Sequence, residues 1–309
     1  MNNEKIPLTI LIPTINAEAH LEELFDGIVP YFEDVIVVDS LSLDRTVDIC
    51  LEYGVKIIQR RYVSSSDQFG WMVTQIPVKT PWIMLMAQDE RISEKLRNEM
   101  SHYLRDDSPH SGYTVRWRLW FMGKPLHATP RRMMIYKTGN VAVTNVACNE
   151  HFFLLDCGSV GNLEVYLEHK DTPTLWDWYE KQNLWTTREA IQRVCPPSDD
   201  EKPMLCGTKR QRKAFVKQLL IHMPFGETIL FWYYFLKFGA WRDGRTGWVW
   251  ASLRVWVHHV TTLKEIEMRK YGIPERIPEG RHGDFDPRIL ASDLQRQLLP
   301  ETIPMTEMD

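Results

Sequence analysis

Leu8–Thr46 reads LTILIPTINAEAHLEELFDGIVPYFEDVIVVDSLSLDRT. An apolar run stops at Pro13-Thr14-Ile15-Asn16, an amphipathic stretch follows, and a second apolar run stops on Asp39. That order predicts a strand, a helix and a second, parallel strand. Leu21, Leu24, Phe25 and Ile28 fall at i, i+3, i+4 and i+7, which gives the helix one apolar face, and Asn16 is placed to cap it. DVIVVDS is nearly continuous in apolar residues, as expected of a strand covered on both faces. Both strands deliver polar residues at their carboxyl ends, where open α/β sheets bind ligands. Ser42 and Asp44 read as caps for a helix from about Arg45.

The chain has 309 residues, 44% of them hydrophobic, enough for one full α/β domain with an appendage. A net charge of −4 argues against a general nucleic-acid binder. Five cysteines (Cys50, Cys148, Cys157, Cys195, Cys206) are odd in number and lack metal spacing, so they read as reduced thiols of a cytoplasmic protein. No apolar leader opens the chain, and no signal peptide is expected.

No Gly-x-Gly-x-x-Gly follows Ile12, so the dinucleotide fingerprint is missing. Pro13, Thr14, Asn16 and Glu18 stand there instead, followed by Asp39-Ser40-x-Ser42-x-Asp44-x-Thr46. This pattern resembles the nucleotide-sugar half of the inverting family 2 glycosyltransferases, which have the GT-A fold. The resemblance implies donor contacts from Pro13, Thr14, Asn16, Glu18 and Asp39. A carboxylate at a strand end can accept from an imide N–H, a donor that uracil has and cytosine lacks. Gln68, in SSSDQFGWMV, falls where a subgroup of the family has a glutamine near the donor sugar.

A third apolar run, in TPWIMLMAQDERIS, ends at Ala87-Gln88-Asp89-Glu90. In the resembling family this strand ends in Asp-x-Asp, whose carboxylates hold Mg²⁺ or Mn²⁺ against the diphosphate. Hard cations want carboxylate oxygens, and a leaving diphosphate needs its charge neutralised. Here Ala87 replaces the first Asp, and Asp89 is the expected metal ligand, with Glu90 beside it as a further candidate. The alternative is that both acids sit at the start of a helix from Ser93.

Further on stand Arg116, Phe121-x-Gly123, Arg132-Met133-Met134, Asn149-Glu150, His169, Lys181, Asn183 and Trp185. This set resembles the lipopolysaccharide-core β-1,4-glucosyltransferase-like subgroup, with Asn149 where His is usual and Trp185 where Tyr is usual. The resemblance makes Glu150 the candidate general base, taking the acceptor hydroxyl's proton as it attacks the anomeric carbon. Arg131 and Arg132 could meet the diphosphate, since guanidinium matches phosphate bidentately. His169, ending LEVYLEH, is a further candidate near the metal or diphosphate.

Between Trp232 and Trp256 lie five of twelve tryptophans, interrupted by Lys237, Arg242, Arg245 and Arg254. Lys209, Arg210, Arg212, Lys213 and Lys217 precede them on a short basic helix. No run reaches the ~18–20 uncharged apolar residues of a spanning helix. A basic, Trp-rich amphipathic segment suits a membrane interface instead. Val249, Leu253, Trp256, Val260, Leu263 and Ile266 form the stripe expected to be buried, with Trp248, Trp250 and Val257 off it.

The resulting expectation is an α/β, GT-A (Rossmann-like, mostly parallel) domain over 1–195, a Trp-rich helical extension over 196–272 and a Pro-rich tail over 273–309. Its implied function is inverting, UDP-sugar-dependent and metal-assisted hexosyl transfer in polysaccharide or lipopolysaccharide-core biosynthesis. Glucose is the implied sugar, and the enzyme is expected in the cytoplasm, peripheral on the inner face of the cytoplasmic membrane. A polyprenyl-phosphate acceptor, or a non-catalytic sugar-nucleotide-binding role, are the alternatives. Acceptor, linkage and oligomeric state are not legible.

Overall fold

A computed structural model of the chain describes residues 5–144, 150–156, 158–170, 174–196, 204–207, 211–212, 215–216, 219–220, 223, 225–274 and 302–303. Asn149, Cys148, Cys157, most of the basic cluster at 209–217 and nearly all of the Pro-rich tail lie outside them.

The first unit folds as its periodicity dictates: β1 (Ile6–Thr14), α1 (Glu18–Ile28) and β2 (Phe32–Asp39). Leu21, Leu24, Phe25 and Ile28 are all buried, and Thr14 pairs with Asp39 in parallel register at the carboxyl ends. The chain continues outward through α2 (Thr46–Glu52) and β3 (Lys56–Arg60), then returns through α3 (Ser65–Gln75) to β4 (Trp82–Leu85) on the other side of β1. The order of strands therefore reverses at β1 and β4, which opens a crevice beyond their carboxyl ends.

The second half mixes parallel and antiparallel pairing. After β5 (Glu90–Ile92) and α4 (Glu94–Tyr103) come β6 (His110–Phe121), β7 (Lys124–Pro125) and β8 (Arg131–Lys137). They are followed by a hairpin of β9 (Val141–Val143) and β10 (Phe152–Leu154), then β11 (Ser159–His169). The main sheet runs β3-β2-β1-β4-β8-β6-β11-β5, with Thr302–Ile303 (β12) at the β3 edge. β6 and β11 pair in parallel, whereas β4–β8, β8–β6 and β11–β5 are antiparallel, so the sheet is mixed where a mostly parallel one was expected. Met122 and Gly123 both take left-handed backbone, φ 51° and 72°, and turn β6 tightly into β7.

Helix α5 (Leu175–Val194) packs along the long helix α7 (Gly244–Tyr271), and α6 (Gly226–Trp232), a π-helical turn (Tyr233–Lys237) and a 3₁₀ turn (Ala240–Asp243) lead into α7. An apolar cluster of Phe121, Leu126, Trp178, Trp250 and Val257 joins these helices to the end of β6. The buried stripe of α7 differs from the one expected. Trp250, Val257, Thr261 and Met268 are buried, whereas Leu263 and Ile266 are 52% and 58% exposed. Lys264 lies on the packed side. Its ammonium donates to the Asn183 carbonyl and to the Thr186 and Thr187 hydroxyls of α5 at 2.7–2.9 Å. A polar contact line of this kind carries no hydrophobic signal. No described helix is long and apolar enough to cross a membrane.

Candidate functional site

The carboxyl ends of β1 and β2 are laced together by side chains reading the opposite loop's backbone. Asp39 is fully buried. Its carboxylate accepts from the Thr14 hydroxyl (3.3 Å), the Ser42 amide (2.9 Å), the Ser42 hydroxyl and the Gln59 side-chain amide (3.1 Å). Asn16 does not cap α1. It sits at φ 45°, and its side chain accepts from Leu43 N at 2.9 Å. The first amides of α1 are satisfied from across the cleft: Ala17 N donates to Thr46 Oγ1 (2.7 Å) and Glu18 N to Asp44 Oδ2 (3.0 Å). Glu18 reciprocates by accepting from Arg45 N at 3.0 Å. Asp44 Oδ1 does take Thr46 N, the first amide of α2, but Ser42 serves Asn16 N at 2.8 Å instead of that helix. In a parallel β-α-β unit the two loops lie side by side, so the nearest acceptor for a helix-start amide can come from the neighbouring loop.

Asp39→Ala would strip four donors of their acceptor. We expect a stability loss of about 1.5–3 kcal/mol, the scale for hydrogen bonds to a charged group, read from denaturant unfolding. An unchanged midpoint would show the lacing to be idle.

The third strand end closes the same crevice. Ile15 N donates to Gln88 Oε1 at 3.4 Å, tying the β4 loop to the β1 loop. Asp89 and Glu90 are not the first turn of a helix, because β5 intervenes and Ser93 caps α4. Pairing of β5 with β11 sets Glu90 opposite His169. Asp89 Oδ2 lies 3.3 Å from His169 Nε2 and accepts from Lys181 of α5 at 3.4 Å. Burial pushes the Asp89 carboxyl up, but the His169 and Lys181 charges outweigh it and hold the group well below the usual carboxylate range. Glu90 is buried, with Ala87 N and Trp117 Nε1 donating to it at 2.8 and 2.7 Å. Burial pushes its pKa up to about 7.

Trp117 is the platform of the site. The Arg132 guanidinium stacks 3.7 Å from its indole centroid and the His169 ring 4.1 Å away. Arg132 is within electrostatic reach of Glu90, Glu150 and Asp89. Glu150 Oε2 is buried with no hydrogen-bond partner among the described residues. Burial lifts its carboxyl above the usual range, against its own backbone N–H and the Arg132 and Arg188 charges. Arg188 of α5 is buried and donates to the Tyr62 hydroxyl at 3.1 Å.

The structure thus gathers Asp89, Glu90, Glu150, Arg132, His169 and Lys181. Other sequence candidates lie elsewhere. Gln68 is buried, accepting from Arg60 Nη1 at 2.8 Å. Arg131 points to the opposite face of β8 from Arg132 and grips the Leu163 carbonyl and Glu164. Arg116 pairs with Glu164, and Asn183 serves Lys264. Trp117, Gln88 and Arg188 were missed. Trp117 was signalled only by the alternation Val115, Trp117, Leu119 along one face of β6.

Asp89 Oδ1 is buried and lacks a hydrogen-bond partner among the described residues. That oxygen can take a hard cation. No group of three His, Cys, Asp or Glu side chains is placed to hold one among those residues. The donor set therefore fits a divalent ion only if a ligand such as a diphosphate supplies further oxygens.

No protein-family model matches the chain. It is 23% identical over 254 residues to the lipopolysaccharide core biosynthesis glycosyltransferase LpsC of Rhizobium meliloti, covering 79% of this chain and 86% of that protein. It is 30% identical over 95 residues to an uncharacterized glycosyltransferase of Rickettsia bellii, where the match spans 31% of this chain and only 32% of the relative. Among solved structures, the mannosyltransferase PcManGT of Pyrobaculum calidifontis, in complex with GDP-Man and Mn²⁺, is similar at 12% identity with a TM-score of 0.47, over 85% of this chain and 88% of that one. The curated proteins to which the chain is similar are glycosyltransferases, in keeping with the family resemblance of its motifs.

Proposed function

We propose that this chain is an inverting glycosyltransferase that moves a hexose from a UDP-sugar onto a sugar of a lipopolysaccharide-core or other envelope glycan. The observation that carries the reading is the cluster around Trp117. One stacked guanidinium faces three carboxylates in different settings: Asp89 held ionised, Glu90 hydrogen-bonded with its pKa raised to about 7, and Glu150 with a buried Oε2 that no described residue hydrogen-bonds. Divergent carboxyl environments are how a site separates its acid, base and binding roles. The likeness to the Rhizobium enzyme, across most of both chains, supports the acceptor class. The choice of glucose rests on the subgroup resemblance.

In this reading the crevice at β1 and β2 takes the nucleoside. Asp39 can accept from the base only if Ser42 or Gln59 yields its hydrogen bond. Arg132 and Lys181 face the diphosphate. A divalent cation bound by Asp89 Oδ1 and diphosphate oxygens would neutralise the leaving group's charge. Glu150 accepts the proton of the acceptor hydroxyl while that oxygen bonds to the anomeric carbon and the UDP oxygen departs.

A panel of sugar nucleotides, with and without Mn²⁺, tests the donor assignment by thermal stabilisation. A ligand at 100 times its dissociation constant should add about 2.7 kcal/mol. UDP release with isolated core glycan, and the anomeric configuration of the product by NMR, test the reaction. Retained configuration, or no UDP-sugar response, would overturn the proposal.

A further inference from the structure

The segment leading into α7 carries an apolar stripe that the described residues leave about half exposed. Ile229, Trp232, Tyr233 and Leu236 fall at i, i+3, i+4 and i+7, and are 46%, 46%, 47% and 57% exposed. Phe225, one turn earlier, is 81% exposed. The inward side is occupied separately: Leu230 is buried, and Phe231, Tyr234, Phe235 and Phe238 pack into the cluster with Trp250 and Phe121. The segment therefore has two apolar faces: one is packed in the cluster, and the other stays about half exposed, with Trp232 and Tyr233 set against the edges of Phe231, Phe235 and Phe238 of the same segment. Scattered exposed hydrophobics are ordinary, whereas a contiguous helical stripe marks an interaction surface.

The surroundings of the stripe select its partner. Lys237, Arg242 and Arg245 are exposed at its far end. The nearby acids are already engaged: Glu227 by His259 at 2.5 Å and Asp243 by His127 at 2.6 Å. Even with both carboxylates counted, the three exposed cations outnumber the two acids beside the stripe, a local surplus of positive charge on a chain whose net charge is −4. Trp and Tyr are the side chains that settle at the headgroup level of a bilayer, and Lys and Arg snorkel from that depth to anionic phosphates. No described helix can span, so the geometry suits a helix lying in the interface plane.

We propose that the face formed by Phe225, Ile229, Trp232, Tyr233 and Leu236, with Lys237, Arg242 and Arg245, docks the protein on an anionic lipid bilayer. Docking would hold the Trp117 site near the membrane surface, because Trp178 and Lys181 share α5. Trp178 packs in the cluster under the stripe while Lys181 reaches Asp89. This inference does not depend on the transferase reading, since lipid binding is measured without donor or acceptor.

The test is flotation of the full chain with vesicles of phosphatidylglycerol and phosphatidylethanolamine, against vesicles of phosphatidylcholine alone. The parent should float with the anionic vesicles, less so as salt screens the attraction. Ile229→Gln/Trp232→Gln/Leu236→Gln should lower the partition coefficient at least tenfold. Lys237→Glu/Arg242→Glu/Arg245→Glu should erase the preference for anionic lipid, on the order of a hundredfold for three basic residues. All six sites are exposed, and matching thermal midpoints would exclude misfolding. Equal flotation of parent and the apolar variant overturns the proposal. So does a parent that binds no vesicle, or a concentration-dependent dimer that the apolar variant dissolves without any lipid binding.

Discussion

Glu150→Gln should lower turnover by about 10²–10⁴-fold, the range for loss of a positioned general base, while leaving donor affinity nearly unchanged. The amide keeps the shape of the side chain but accepts no proton at neutral pH. The setting of Glu150 also predicts a pH signature. Burial raises its folded-state pKa, opposed by Arg132 and Arg188. The rate of the parent enzyme should therefore fall as pH drops through a value above the ~4.3 of a free glutamate. The same shift fixes the sign of its effect on stability. A carboxyl whose pKa is raised by folding is favoured in its protonated form. Its contribution is fully present below the unfolded value and is lost as pH rises through the folded one. At neutral pH the ionised Glu150 is thus a local cost, and the Gln variant should be as stable as the parent or more so. Fast turnover by a stable Glu150→Gln enzyme would remove Glu150 from the mechanism and turn attention to Glu90, whose pKa is pushed up to about 7.

That contrast between Glu150 and Glu90 could not be read from the chain. The resemblance assigns Glu150 the base and Glu90 a place by the metal, but nothing in the residues around either acid marks its protonation. What separates them is tertiary. Glu90 is drawn into β5 opposite His169 and receives Trp117 Nε1, whereas Glu150 Oε2 receives nothing among the described residues. The first β-α-β unit, by contrast, was legible almost residue by residue, because its apolar spacing is local and its strands are buried on both faces. The mixed second half was not, since antiparallel partners β8 and β6 carry no sequence mark of which neighbour they will choose. The α7 stripe failed for a related reason. The contact line includes Lys264 and Thr261, which hydropathy assigns to solvent and the fold assigns to α5. The donor loops were misread in one respect. Asn16 looks like a cap and is instead a clamp on Leu43, because the nearest acceptors for the α1 amides come from a loop about 27 residues later.

Asp89→Asn should abolish the effect of Mn²⁺ on UDP binding, with the metal-dependent gain in affinity, at least tenfold in the parent, falling to none. The two oxygens of Asp89 are not equivalent. Oδ2 is committed to His169 and Lys181, while Oδ1 is buried without a partner, so a cation finds one protein ligand here and takes the rest from the diphosphate. With Ala87 in place of a second Asp, nothing else among the described residues compensates. Calorimetric titration of UDP with and without Mn²⁺ decides it, and a metal increment that survives in the variant assigns the ion elsewhere. The substitution has a second consequence that separates binding from folding. An asparagine removes the Asp89 charge from Lys181 and the largely buried His169, at a cost of about 1–3 kcal/mol. The folded-state pKa of Asp89 is depressed, so its contribution is present above the unfolded value of ~3.9 and is lost as pH falls through the folded value. The stability gap between parent and variant should therefore be full at neutral pH and close only in strong acid. A gap that stays constant into that acid range would mean that the charge of Asp89 is not what Lys181 and His169 hold in place.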